Sequence, residues 1–153
     1  MSAPQKNALE ILNNARAQAK EQDLPYAGSV TPAQAWQLFN SGEATLVDIR
    51  SNEELHFVGR VPGSPHIAWA TGTSLTRNPR FAREVANKFD KSDNLLLLCR
   101  SGKRSALAAE ALTHAGFTSV FNVLEGFEGE INEHKQRGFT GGWQFHQLPW
   151  EQD

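Results

Sequence analysis

Residues 95–105 read Leu-Leu-Leu-Leu-Cys-Arg-Ser-Gly-Lys-Arg-Ser, and from Ser105 the chain continues as SALAAEALTHAGF. Four leucines in a row between polar residues form the pattern of a central strand covered on both faces, because a strand with one wet face would alternate. Cys99 therefore stands at the carboxyl end of a buried strand. From about Lys103 the alanines and leucines recur at helical spacing, and Gly116 after His114-Ala115 is a C-cap signal. A strand passing through a short polar loop straight into a helix is the repeating unit of parallel α/β architecture.

The sequence on either side repeats that unit. Downstream, Ser119 to Val123 supplies another strand. Upstream, Ala44 to Ile49 is a short apolar run ending in Asp48-Ile49-Arg50, and Ser51-Asn52-Glu53-Glu54 is a capping box that opens a helix at once. Thr31-Pro32-Ala33-Gln34 opens a helix running to about Asn40, where Ser41-Gly42 stops it, and Asn78-Pro79 is expected to open another that reaches about Phe89. Gly59, Pro62, Gly63 and Pro65 impose turns before an expected short strand around His66 to Trp69. Ala8, Leu9, Ile11, Leu12, Ala15 and Ala19 define an amphipathic helix over about 4–21. The fold class is α/β: a central parallel β-sheet flanked by helices on both faces, with an extra N-terminal helix and neither repeat nor low-complexity linker.

The 153 residues suffice for one core, and 39% hydrophobic and 21% charged residues with a net charge of -2 argue against disorder and against a broad nucleic-acid-binding surface. A single cysteine forms no internal disulfide and supplies no metal cluster alone, which fits a reducing compartment. No signal-like apolar core opens the chain, and the strongest apolar run, Leu95 to Cys99, is far too short to cross a bilayer. A cytoplasmic protein without membrane partner is expected. The five histidines show no HExxH or Cys-His spacing, so no metal site is expected; Gly102-Lys103 lacks the rest of a P-loop and no GxGxxG follows a strand, so no nucleotide cofactor is expected. The four tryptophans are spaced irregularly, as core or rim residues are.

In parallel sheets ligands bind beyond the carboxyl ends of the strands. Cys99 is there, followed by Arg100, Ser101, Gly102, Lys103, Arg104 and Ser105: three cations, one glycine and two hydroxyls leading into a helix. Converging loop amides and the positive end of the helix favour a thiolate or persulfide anion. A cysteine at a strand end is otherwise a packing residue, but a packing position gains nothing from three following cations. Arg100 and Lys103 are the candidates to attract an anionic donor, whereas Arg104 and Ser105 at the helix start serve equally to orient the loop. Asp48 and Arg50 read as a structural pair beside the site, tying strand to loop. Arg60 either adds a cation to the cleft or caps the turn before Pro62.

The separated motifs VDIRSNEELHFVGRVPGSPHI, LLLLCRSGKRSALAAEAL and NVLEGFEG, followed by GGW and LPW, resemble the rhodanese family over roughly Thr31 to Trp150. The resemblance divides the chain into an N-terminal helical extension, residues 1–28, and a rhodanese domain, residues 29–153. It implies a sulfurtransferase in which Cys99 takes a sulfane sulfur from a small anionic donor such as thiosulfate and passes it from a persulfide to cyanide or to a thiol, including a protein thiol. A carrier or interaction module that holds the persulfide without turnover is the alternative. Related cysteine phosphatases place five residues between cysteine and arginine; here Arg100 to Lys103 make four, a tighter loop suited to sulfur. Arg60 and Ser64 depart from a common GHIPGA pattern, and Leu124-Glu125-Gly126 from Leu-x-Gly-Gly. The resemblance leaves the oligomeric state and the physiological donor and acceptor open.

Overall fold

The structure, a computed structural model, describes residues 3–152. The elements are α1 (Ala3–Gln22), β1 (Gly28–Val30), α2 (Pro32–Asn40), β2 (Thr45–Asp48), α3 (Asn52–Val58), β3 (Ala70–Thr71), β4 (Thr76–Arg77), α4 (Phe81–Lys88), β5 (Leu95–Leu98), α5 (Lys103–His114) and β6 (Val120–Val123). Four strands form a parallel sheet in the order β1-β6-β5-β2, and β3 and β4 form a small antiparallel hairpin. Leucines 95 to 98 thus occupy an inner strand, as their uninterrupted run requires.

Alternation along β5 divides the core in two. Leu96 and Leu98 point to the face covered by α1 and α2, where Leu12, Ala15, Leu38, Leu46, Phe121, Phe127 and Trp143 pack. Leu95 and Leu97 point to the face of α4 and α5, among Val47, Phe81, Val85, Ala108, Leu112 and Phe117. Every second side chain of a strand faces the same way, so four leucines satisfy two apolar faces at once. Both Thr31 and Ser51 form the capping boxes read from the sequence, each bonded reciprocally to the third residue of its helix.

Two local expectations are corrected. The strand around His66 to Trp69 shrinks to a single bridge between Asp48 and His66, although the Ile67 and Trp69 N–H groups still donate to the carbonyls of Asp48 and Ile49. Pro62, Gly63 and Pro65 hold that segment in turns and leave it too little regular length. Helix α4 begins at Phe81 rather than beside Asn78-Pro79, because the Asn78 carboxamide accepts the Arg80 N–H and so closes a turn ahead of the helix. The edge strand β1 had no apolar run to announce it. Gly28 is required there by close approach: a Cβ would lie 2.6 Å from the Ala15 carbonyl oxygen of α1. Among the described residues no helix is long and apolar enough to cross a membrane.

Candidate active site

Cys99 follows β5 and is buried, yet hydrogen-bond donors surround its sulfur. The Gly102 N–H lies 3.1 Å from Sγ and the Ser105 N–H 3.3 Å, while the Ser105 hydroxyl oxygen, 3.2 Å away, is placed to accept from the thiol. Gly102 makes this possible by adopting φ +97°, a left-handed conformation costly for any other residue, which turns the chain back over the sulfur before α5 starts. Among the described residues no side chain caps α5. Its third residue, Ser105, donates its N–H to Cys99 instead, so the sulfur takes the place of a capping oxygen.

Neighbouring elements fix the loop. Arg104 forms two 2.8 Å bonds to the Glu54 carboxylate of α3, with both side chains largely buried. Burial alone would raise the Glu54 pKa, but the bonds from Arg104 and Ser51 outweigh it and hold it down at about 2. The Arg104 pKa is raised: desolvation works against its charge and is outweighed by the Glu54 carboxylate. On the β6 side the Ser105 hydroxyl donates to the Asn122 carboxamide oxygen, and Asn122 Nδ2 donates to the Gly102 carbonyl at 3.2 Å. The segment after β6 closes the underside, with the N–H groups of Phe127 and Glu128 donating to the carbonyls of Cys99 and Arg100. Gly126 has φ +68°, and a Cβ there would overlap the Arg100 carbonyl.

Asp48 and Arg50 pair with each other. Asp48 accepts three bonds from the Arg50 guanidinium, which also donates to the Gly59 carbonyl at 2.8 Å and lies 4.2 Å over the Phe127 ring. The His66 Nε2 donates to the Arg50 carbonyl at 2.6 Å. Lys103 projects into solvent, 79% exposed, with Nζ 4.0 Å from Glu130. Arg100 Nε is buried without a hydrogen-bond partner among the described residues. Glu128 has a raised pKa, chiefly because it is desolvated, with Arg50 opposing the rise and Glu54 adding to it. Arg60 meets the far end of the chain: it exchanges backbone bonds with Glu151, and its Nε lies 3.6 Å from that carboxylate.

Residues 31–132 match the family model described as Rhodanese-like domain. This chain belongs to that family. Among its rhodanese-like relatives is thiosulfate sulfurtransferase 16, chloroplastic, of Arabidopsis thaliana, 34% identical over 111 residues that cover 71% of this chain and 89% of the relative. The crystal structure of Rv0390 from M. tuberculosis shares 39% identity at a TM-score of 0.75, covering 84% of this chain and 99% of that one. A polysulfide-sulfur transferase homodimer from Wolinella succinogenes, 22% identical with a TM-score of 0.56 over 90% of this chain and 87% of that one, has the same fold.

The rhodanese-like loop thus combines a buried thiol, two amides directed at its sulfur and a hydrogen-bonded frame. The sequence reading did not single out Asn122, Glu54 or Gly126 as parts of that frame. A polar residue inside the strand Val120-Phe121-Asn122-Val123 was the available signal for Asn122, because a buried carboxamide needs partners. Glu54 was visible only as a capping residue, and nothing local pairs it with Arg104, fifty positions away.

Proposed function

We propose that this protein is a sulfurtransferase that carries sulfane sulfur on Cys99. The observation that bears most on the reading is the pair of backbone N–H groups, of Gly102 and Ser105, that converge on Sγ. A thiolate attacks the outer sulfur of a donor such as thiosulfate, forms the S–S bond of a persulfide and expels sulfite. Preset amides stabilise the negative charge without reorganising. The Arg100 guanidinium, which borders a cavity beside the loop and whose Nε has no hydrogen-bond partner among the described residues, is the side chain available to the anionic donor. Lys103 contributes long-range attraction at most, and Arg104, committed to Glu54, positions the loop. The acceptor, cyanide or a thiol, then removes the outer sulfur. An external acceptor is required because Cys99 is the only cysteine in the chain.

Thiosulfate:cyanide sulfurtransfer by wild type and Cys99→Ser tests the proposal. Turnover by wild type and its fall to background in the variant are expected, with a mass increase of one sulfur atom on Cys99 after exposure to donor. If Cys99 stays unmodified with thiosulfate and with polysulfide, the proposal fails. A loaded Cys99 that discharges to no small acceptor identifies a carrier instead.

A further inference from the structure

Beside the cradle loop lies a cavity of about 250 Å³, lined by Phe57 and Val58 of α3, by Leu75 and Gly72 of the hairpin loop, and by Arg100 and Glu53. Its walls differ in origin. Helix α3 is anchored to the sulfur loop through Glu54 and Arg104, so Phe57 stands at a fixed position relative to Cys99. Leu75 lies between β3 and β4 with φ +55°, a backbone conformation that a branched aliphatic residue adopts at a cost and that turns up at ligand clamps. Phe57 is 70% exposed, and a ring left in water at the mouth of an apolar cavity is an unfilled contact.

We propose that this cavity holds the apolar body of the acceptor, and that the acceptor is a small, uncharged alkyl or aryl thiol. The inference rests on the sulfurtransferase reading and specifies its second half-reaction. Size limits the occupant, since cavities for drug-sized ligands start at about 300 Å³. Charge limits it too. The Glu54 carboxylate is neutralised by Arg104, and the two remaining charges on the lining, Glu53 and Arg100, are of opposite sign, so the lining as a whole favours neither an anionic nor a cationic body. Arg100, the residue after the nucleophile, borders the cavity, so a thiol seated there is next to the loop from which the persulfide projects. Its thiolate attacks the outer sulfur of the Cys99 persulfide and forms a new S–S bond. The Cys99 S–S bond breaks, its electron pair returns to Sγ, and the alkyl persulfide leaves with the proton of the outer sulfur. No external oxidant or reductant is consumed.

The test uses the full chain, loaded with sulfur from thiosulfate and freed of excess donor. Single-turnover discharge is followed with 2-phenylethanethiol, 2-mercaptoethanol and cyanide, and rates are compared per thiolate. Wild type is expected to favour the phenyl thiol about tenfold, the factor that burying part of a ring provides. Phe57→Ala and Leu75→Gly are each expected to bring that preference below about threefold, read as the ratio of the two thiol rates so that a general loss cancels. Equal rates in wild type, or a preference untouched by both variants, overturns the inference while cyanide-labile sulfur still upholds the sulfurtransferase reading. Failure to load any sulfur overturns both.

Discussion

The chain leaves β2 and β5 in the same manner, through a short polar loop into a helix, yet the two helix starts are finished by different atoms. At the first, Ser51 Oγ accepts the N–H of Glu54, the third residue of α3, at 3.3 Å. At the second the capping position is Gly102, which has no side chain to offer, and the corresponding N–H of Ser105 lies 3.3 Å from Cys99 Sγ. Both solutions satisfy the same orphan donors. The hydroxyl closes its helix end, whereas the other helix end serves a sulfur, the atom that on the proposed function gains charge and a second sulfur. The charges follow the same division. Helix α3 begins with Glu53 and Glu54, as its dipole favours, while α5 begins with Lys103 and Arg104, which the dipole disfavours.

This contrast predicts that changes in the β2 unit act on stability and changes in the β5 unit on sulfur chemistry. The largest effect is expected from Asp48→Ala, which leaves the buried Arg50 guanidinium without its carboxylate. Breaking one partner of a buried pair costs about 3–5 kcal/mol, measurable as a lower denaturant midpoint. If Asp48→Ala unfolds with the wild-type midpoint, the β2 unit is not the structural one. Next is Ser51→Ala, expected to cost about 1 kcal/mol in thermal melts through the lost cap.

Glu54→Gln probes the bridge between the units through pH. Its folded-state pKa lies below the ordinary carboxyl value of 4.5, at about 2, so the stability it contributes is complete above pH 4.5 and is lost as pH falls towards 2. The difference in melting temperature between wild type and variant should therefore be full at neutral pH and close across that window. A gap independent of pH would mean that the Arg104 contact contributes nothing through charge. The smallest effect is expected from Glu128→Gln. The Glu128 pKa is raised above 4.5, so its ionised form weakens the fold at neutral pH. The variant should be slightly more stable at pH 7, and the advantage should vanish once the solution is acid enough to protonate the carboxyl in both states.

Much of this was legible in local pattern. Leucines 95–98 placed the central strand, and the Thr31 and Ser51 boxes placed two helix starts to the residue, because caps and apolar periods are set by neighbours in the chain. Asn78-Pro79 misplaced the start of α4 by the length of an Asx turn, since the same residues serve a turn or a cap. Arg60 offered two local roles, and neither pointed to its contact with Glu151, which lies at the opposite end of the chain.

The order of residues alone determined that a thiol would stand where a buried parallel strand meets a helix, with cations close behind. Only the folded chain decided how each cation is used: Arg104 held by Glu54, Lys103 left in solvent, and Arg100 beside an apolar cavity between α3 and the hairpin. The reason is range. Backbone capping and side-chain periodicity act over a few residues, whereas a guanidinium takes whichever carboxylate packing brings within a few ångströms, and that is known only after the sheet has assembled.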